Sequence, residues 1–346
     1  MTQKNSGCLW MLAGFGLCLG FLTVLAIVFI VGSGNMRTVV KPTAPRFEES
    51  VVVDAKPQKD NKDADAKVAV IYLRGVISSS EPGTVGDSMV DDLKIQLEQA
   101  ATDEKVRAIV LYIDSPGGEV TASDSIYNAV RKVRDGGFGP KNKKPIVVYM
   151  GSLAASGGYY VACAGNWLMA NETTLTGSIG VIMQSLNYRQ LFDKVGLETI
   201  TFKSGQFKDM LSGSRELTQE EKDYVQKMVM ETYGKFVGIV ARERKLNEDE
   251  LRHGLADGRV ISGKDAKAAN LINATGELDD AYAKALELGG VKSATIIRYE
   301  SPFKFGRLFR LLGQSEKTSV EVNVARALGP KLEAGRMYFL PSFYAP

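Results

Sequence analysis

The sequence predicts an α/β protein with a mostly parallel sheet, preceded by one N-terminal transmembrane helix. Short apolar segments alternate with segments of helical periodicity, and glycine-rich turns follow several of the apolar segments. Strands that alternate with helices are joined by crossover connections, which place neighbouring strands parallel. The helix is predicted from the run Cys8 to Val31, which carries no charged residue.

The N-terminal run is long enough to cross a membrane once. A spanning helix needs about 20 apolar residues, and no cleavage site of small residues follows the run. We therefore predict a short tail at 1–7 and an uncleaved anchor at 8–32. Basic residues stand on both sides of the anchor, so charge alone leaves its orientation open.

Residues 33–66 are predicted to be a linker, because they are rich in Pro, Lys, Asp and Ala and have strand character only at 51–53. The net charge of +3 gives no indication of nucleic-acid binding. Cys8 and Cys18 lie within the apolar run, which leaves Cys163 alone in the rest of the chain, so no disulfide is expected there.

The predicted domain covers residues 67–290 and alternates strands with helices. The predicted strands are 68–77, 106–114, 146–150, 167–170, 175–182 and 198–203. Predicted helices are 88–103, the segments after DSPGG and after Ser156, and a long helix from Thr218, where Glu221 completes a capping box.

The stretch 145–165 combines a strand, a tight turn and a helix. The apolar run Ile146–Met150 ends at Gly151, and tiny residues follow, with Ser156 at the predicted start of the helix. Backbone N–H groups at a helix start lack intrahelical partners, so they could stabilise an oxyanion beside a nucleophile. The other interpretation is an N-cap serine in a glycine-rich turn.

Two further segments are candidates for a site. DSPGG, residues 114–118, follows a buried strand at the sheet edge where α/β proteins bind ligands. It is otherwise a plain strand-to-helix turn. Lys208 lies in a short polar loop after the predicted strand 198–203, and a lysine in such a loop is ordinarily solvated surface.

Several chemistries are excluded or disfavoured. A Ser-His-Asp triad would have to use His253, the one histidine, and nothing around it indicates an oriented imidazole. Zinc sites of histidine and cysteine lack enough ligands. The motif GxSxG is absent because Ala154 replaces its first glycine. Residues 258–265 are similar to a phosphate-binding loop, but Asp265 stands where that motif requires Ser or Thr. No metal, nucleotide or other cofactor is expected. A lysine remains as the candidate base. It would have to be neutral, which requires burial among apolar groups that lower its pKa.

Four motifs, in their order and spacing, resemble those of the bacterial signal peptide peptidases of the SppA type: DSPGG, MGSLAASGGYY, TGSIG and SGQFKD. The short, single-domain, membrane-anchored form is the better match, over about residues 67–290. The resemblance implies the fold shared by Clp protease and crotonase, built from repeated β-β-α units.

The resemblance also implies site residues. Ser156 would be the nucleophile and Lys208 the general base of a Ser-Lys dyad. Ser178 would hydrogen-bond the lysine amine and orient it, and the N–H groups of Gly118 and Gly157 would form the oxyanion hole.

Partners and location follow from the same resemblance. The subunits would form a dome-shaped homo-oligomeric ring in which each Lys208 serves the neighbour's serine, on the extracytoplasmic side of the bacterial cytoplasmic membrane. Substrates would be remnant signal peptides and other hydrophobic or unfolded segments, cleaved without ATP. Leu153 and Met183 are candidates for apolar substrate pockets. Membrane lipid is a further expected partner, and nucleic acid is not.

Residues 291–346 form a predicted C-terminal extension that is basic and apolar. Residues 301–313 suit an interfacial amphipathic segment, and residues 337–346 are apolar and interrupted by proline. The extension is interpreted as an element of assembly, of membrane contact, or as a self-substrate tail.

Two other functions stay open at this stage. A crotonase-like acyl-CoA enzyme would use the same glycine-rich oxyanion hole but needs neither Lys208 nor an anchor. A non-catalytic membrane scaffold would keep the fold and the ring, although it has no need of Ser156 or Lys208.

Overall fold

A computed structural model of the protein describes residues 47–54, 65–79, 88–301 and 336–341. The predicted tail 1–7 and anchor 8–32 lie outside these residues, as does the segment 302–335 of the predicted extension. Within the part of the chain that the structure describes, no helix is long and apolar enough to cross a membrane.

The described strands form a large sheet and a small one. The large sheet has the order β1-β11-β2-β3-β5-β6-β10, with β7 beside β5 and β9 beside β7, and the small sheet has the order β4-β12-β8. The strands are β1 (Glu48–Val53), β2 (Lys67–Arg74), β3 (Val106–Ser115), β4 (Gly118–Glu119), β5 (Ile146–Ala155), β6 (Trp167–Ala170), β7 (Leu175–Gly177), β8 (Ile182–Met183), β9 (Val260–Ser262), β10 (Ala274–Thr275), β11 (Thr295–Glu300) and β12 (Met337–Phe339).

Most strand pairs of the large sheet are parallel, as predicted. Only β1–β11 and β7–β9 are antiparallel among its described pairs. The helices that cross between strands are α1 (Met89–Thr102), α2 (Val120–Arg134), α3 (Gly157–Ala162), α4 (Arg189–Val195), α5 (Gln219–Arg244), α6 (Glu248–His253), α7 (Gly263–Ala268) and α8 (Leu278–Gly289). The result is a Clp protease-like α/β fold.

Helices cover both faces of the sheet, which explains why its central strands are apolar throughout. Along β2, Ala69 and Ile71 face the core formed with α1, α2 and α3. Val68 and Val70 face the opposite side, where they pack with Ala281 of α8. Side chains alternate between the two faces of a strand, so both sets are buried.

The long helix α5 begins as predicted. Thr218 accepts a hydrogen bond from the N–H of Glu221, and the Glu221 carboxylate accepts one from the N–H of Thr218. This reciprocal pair satisfies two donors that would otherwise lack partners at the helix start.

Three predicted elements differ from the structure. Strand β5 does not end at Gly151 but continues to Ala155, because β3 and β7 pair with its second half. The predicted strand 175–182 is two short strands, separated at Ser178, which has a φ of 50°. Residues 198–203 form no strand, since no described strand pairs with them.

The sheet also extends beyond the borders predicted for the domain. Strand β1 comes from the predicted linker 33–66, and its neighbour β11 comes from the predicted extension 291–346. Phe47, just before β1, is buried, and its carbonyl accepts a hydrogen bond from Gln99 of α1. The short β1 segment is therefore part of the sheet because it pairs with a strand far away in the sequence.

Candidate functional site

Ser156 lies at the end of β5, between the strand and helix α3. Its residue is fully buried, and no polar atom of the described residues is a hydrogen-bond partner of its Oγ. Its backbone has a φ of 53°, which is rare for a residue with a side chain. Backbone strain of this kind persists only where the surroundings enforce it, and it is common at active sites.

The surroundings that hold Ser156 are backbone hydrogen bonds on both sides. Its N–H donates to the carbonyl of Gly177 in β7 at 2.8 Å, and its carbonyl accepts from the N–H of Tyr160 in α3 at 2.8 Å. The side chain does not cap α3. The interpretation of Ser156 as an N-cap serine therefore does not describe this hydroxyl.

The two glycines predicted for an oxyanion hole are neighbours in space. A methyl group added to Gly157 would lie 3.2 Å from the backbone nitrogen of Gly118 and 3.1 Å from the Cα of Gly117. Gly117 has a φ of 102°, and its N–H donates to Ser115 Oγ at 3.1 Å. The glycine turn is thus packed directly against the start of α3, beside Ser156.

Ser178 follows β7 as Ser156 follows β5. The register pairs Ala155 with Gly177, so the two serines occupy equivalent positions at the ends of adjacent parallel strands. Adjacent strands lie about 4.8 Å apart. Ser178 is buried, and its N–H donates to the carbonyl of Arg259 at 2.8 Å.

Lys208 lies elsewhere, on an exposed turn. Its 3-10 turn, Gln206–Asp209, is part of a segment, residues 184–210, in which no residue is buried; we call this segment the arm. Within one chain, the structure does not bring Lys208 and Ser156 together, because the Ser156 Oγ has no partner among the described residues.

An ion-pair network fixes the turn that carries Lys208. Arg215 donates to both oxygens of Asp209, at 2.8 and 2.6 Å, and to both oxygens of Glu221, at 2.9 and 2.5 Å. Lys203 also donates to Asp209, at 2.8 Å. The hydrogen bonds from Arg215 and from the N–H of Thr218 lower the pKa of Glu221 from 4.5 to about 2. The turn is therefore tied to the start of α5.

The C-terminal strand β12 lies beside the glycine turn, between β4 and β8. It runs antiparallel to both: Phe339 is opposite Gly118, and Met337 is opposite Met183. Met183, predicted to line a pocket, thus borders the strand. Leu153, the other pocket candidate, lies in β5 and is partly exposed, and its N–H donates to Asp114.

Phe339 fills an aromatic pocket formed by Tyr160 and Phe236, beside the glycine turn. Its side chain is 1% exposed, and its ring centroid lies 5.0 Å from Tyr160 and 4.8 Å from Phe236 of α5. A methyl group added to Gly117 would stand 2.1 Å from the Phe339 carbonyl oxygen and 2.6 Å from the Gly157 nitrogen. The carbonyl of an extended segment therefore sits against the glycines.

Strand β12 occupies a groove between β4 and β8. Sequence reasoning missed several residues of this groove. Gly117 had a visible signal, since it stands inside DSPGG, and its lack of a side chain admits the strand. Phe236 and Glu119 had none, because a phenylalanine in a long helix and a glutamate before a helix are common.

His253 lies on the surface of α6, where its Nδ1 contacts the carbonyl of Asp249. Burial raises the pKa of the Cys163 thiol to about 12.

Comparison with known proteins matches the chain to two family descriptions. Residues 140–292 match peptidase family S49, and residues 65–186 match Clp protease. A putative protease of Methanocaldococcus jannaschii is 38% identical over 203 residues, which cover 59% of this chain and 63% of that protein.

Two other relatives align over similar lengths. A putative signal peptide peptidase SppA of Enterococcus faecium is 35% identical over 60% of this chain and 58% of its own length. A putative protease of Synechocystis is 35% identical over 65% of this chain and 75% of its own length. The chain thus spans less than two thirds of two of these relatives and three quarters of the third. It belongs to peptidase family S49, among the proteases of the SppA type.

Proposed function

We propose that the protein is a membrane-anchored serine endopeptidase with a Ser156–Lys208 dyad. One observation carries this proposal. Ser156 has a buried hydroxyl without a hydrogen-bond partner among the described residues, and it directly precedes Gly157, which packs against the glycine turn where strand β12 presents the Phe339 carbonyl. A peptide substrate would bind as β12 does, as an added strand between β4 and β8.

In the proposed reaction, neutral Lys208 takes the proton of Ser156 Oγ while the oxygen attacks the peptide carbonyl. The N–H groups of Gly118 and Gly157 donate to the oxyanion of the tetrahedral intermediate. Collapse breaks the C–N bond, and the protonated lysine returns its proton to the leaving amine. Water, deprotonated by the same lysine, then hydrolyses the acyl-enzyme and regenerates Ser156.

Lys208 would come from a neighbouring subunit. The arm exposes large apolar side chains in one chain: Phe202 is 95% exposed, Leu186 78% and Ile200 75%. Such side chains in one segment are typical of an interface. Packing between subunits would bury Lys208, and burial favours the neutral amine that a base requires. Repeated around a ring, such contacts would form the proposed homo-oligomer.

The substrates would be remnant signal peptides and other apolar, unfolded segments. The aromatic pocket that holds Phe339 supports an apolar residue at the cleavage position. A membrane anchor at 8–32, with the catalytic domain on the extracytoplasmic side, would concentrate the enzyme where such peptides accumulate.

The first test is hydrolysis of an apolar unfolded peptide by the full-length chain in detergent, without nucleotide or metal. We expect wild type to cut and both Ser156→Ala and Lys208→Ala to lose at least about a thousandfold in rate. His253→Ala is the control and should remain active, because this surface histidine has no proposed role. Cleavage by Ser156→Ala would overturn the proposal; acyl-CoA turnover or complete inactivity of wild type would favour the other two functions.

The C-terminal tail would act as a self-substrate that competes with peptides. Strand β12 pairs with β4 and β8 where a substrate is proposed to bind. Deleting residues 337–346 should therefore raise the initial rate of peptide cleavage several-fold. An unchanged rate in an intact assembly would contradict this role and leave β12 as a structural strand.

A further inference from the structure

Glu119 is an acidic side chain built into the wall of the groove. Its residue is only 7% exposed. Oε1 accepts a hydrogen bond from Ser78 Oγ at 2.9 Å, and Oε2 accepts from Ser79 Oγ at 2.5 Å and from the Ser79 N–H at 3.3 Å. These donors fix the direction of the carboxylate.

The backbone of Glu119 is fixed as firmly as its side chain. Its N–H donates to the carbonyl of Ile77 at 2.8 Å, and its carbonyl accepts from Ser123 Oγ at 2.8 Å. The residue is the second of β4, directly after Gly118. A ligand that pairs with β4 therefore meets the carboxylate at a defined distance from the glycine turn.

The occupant of the groove supplies a cation to this carboxylate. Arg336 Nη1 donates to Glu119 Oε1 at 2.9 Å. In the antiparallel register Tyr338 is opposite Glu119 and Phe339 is opposite Gly118. Arg336 stands two residues before Tyr338, so it projects to the same face of the strand as Tyr338. The basic residue thus lies three positions before the one whose carbonyl contacts the glycines.

Charge makes this contact selective. Burial alone would raise the pKa of Glu119, but the bonds from Ser79 and Ser78 and the charge of Arg336 outweigh it, so the pKa lies below its ordinary value. A carboxylate so far removed from water is stabilised by a cationic partner and destabilised by an anionic one. The guanidinium group gives a charge-assisted hydrogen bond.

We infer that Glu119 is a specificity-determining residue that selects peptides with a basic side chain three residues before the cleavage position. This inference rests on the proposed peptidase function and narrows its substrate class. The preferred segment is not uniformly apolar: it begins with a basic residue, and the third residue after it is apolar and enters the pocket that Phe339 occupies.

The test uses three peptides with the sequence of residues 336–346, carrying Arg, Ala or Glu at the first position, preceded by the same neutral spacer. The full-length chain in detergent is assayed for kcat/KM with each. We expect wild type to favour Arg over Ala by about tenfold, as a hydrogen bond between charged groups would give, and to cut the Glu peptide least.

Variants then locate the preference. In Glu119→Gln, the ratio of Arg to Ala peptide should fall to about twofold or less, whereas Glu98→Gln, which neutralises an exposed glutamate of α1, should keep it. A wild-type ratio near one, or a ratio unaltered in Glu119→Gln, would overturn the inference while cleavage itself stands. Either result would mean that Glu119 only holds the chain's own C-terminal tail in place through Arg336.

A measurement of peptide binding, which needs no cleavage, tests this inference separately from the proposed peptidase function. The same peptides, labelled with a fluorophore, are titrated against Ser156→Ala with and without Glu119→Gln. If wild type cuts none of them, the peptidase proposal fails, yet a tenfold preference in Kd that disappears with Glu119→Gln still supports the inference. Equal Kd values for the Arg and Ala peptides would overturn it.

Discussion

The serine and the lysine of the proposed dyad are held in opposite ways by one chain. Ser156 is fully buried at the junction of β5, β7 and α3, and hydrogen bonds fix its backbone from two sides. Lys208 lies on the arm, which has no buried residue and exposes Phe202 and Ile200. The proposed nucleophile belongs to the core, whereas the proposed base belongs to a surface that one chain leaves uncovered.

This difference has a chemical consequence. The strained backbone of Ser156 is maintained by the sheet of its own subunit, so the serine and the glycines are already arranged in a single chain. A lysine acts as a base only when it is neutral, which requires burial among apolar groups. The proposed base would therefore be completed by association, and assembly would control activity.

The largest expected effect comes from mixing two inactive variants. If Lys208 serves the neighbour's Ser156, co-assembled Ser156→Ala and Lys208→Ala subunits should regain activity, to about a quarter of the wild-type level in an equal mixture, since each site needs one intact residue from each of two subunits. Peptide hydrolysis before and after mixing measures it. The matched control mixes Ser156→Ala with Ser156→Ala/Lys208→Ala, which should stay inactive; failure of the first mixture to recover would place both residues in one chain.

A smaller effect compares a glycine of the core with a glycine of the arm. A methyl group at Gly118 would stand 2.0 Å from the Ile77 carbonyl oxygen, so Gly118→Ala should lower the free energy of unfolding by about 3 kcal/mol. A methyl group at Gly205 would meet no atom of the described residues within 4 Å beyond its two chain neighbours, and the φ of −163° suits any residue. Gly205→Ala should therefore leave stability unchanged or raise it by about 0.5 kcal/mol.

Denaturant unfolding of both glycine variants provides the measurement. Equal losses in the two would contradict the contrast between a packed core and an open arm. A tolerated Gly118→Ala would mean that the glycine turn relaxes, and then its N–H groups are not held in place for an oxyanion.

The smallest effect concerns the network that holds the Lys208 turn. The pKa of Glu221 is lowered to about 2, so its bond with Arg215 stabilises the fold above the ordinary pKa of 4.5 and is lost as pH falls toward 2. Arg215→Gln should lower Tm at pH 7, and the difference from wild type should shrink as pH falls below about 4.5. Thermal unfolding between pH 3 and pH 7 measures this.

Arg189→Gln is the matched control, because Arg189 is exposed and its nearest acidic oxygens lie at 3.9 and 4.0 Å. It should change Tm little at any pH, since exposed ion pairs contribute little. A deficit of Arg215→Gln that stays constant from pH 7 to pH 3 would show that the network does not depend on the ionised Glu221.

Local patterns were sufficient to predict the alternating elements. The strand at 106–114 was predicted from an apolar run, and the start of α5 from Thr218 and Glu221; the structure confirms both. The family resemblance singled out Ser156, Gly118 and Gly157, and the fold places the three together. In these cases the signal lies within a few residues of the position.

The remaining features depend on partners far along the chain. Strand β5 passes through Gly151 because β7 extends the pairing, and a glycine alone does not reveal such a neighbour. Strand β12 pairs with β4 across more than two hundred residues, so its three residues carry no local signal of their position. The predicted strand 198–203 has suitable residues but no described partner, which is why a strand-like pattern was misleading there.

In the proposed mechanism, the backbone of Ser156 places catalysis and folding in opposition at one position. A φ of 53° with a ψ of −113° suits glycine and strains serine, at a cost of about 1–3 kcal/mol. Mutation to glycine would therefore make a chain that lacks the proposed nucleophile more stable than its parent. Selection on the proposed activity would retain a residue that selection on stability alone would replace.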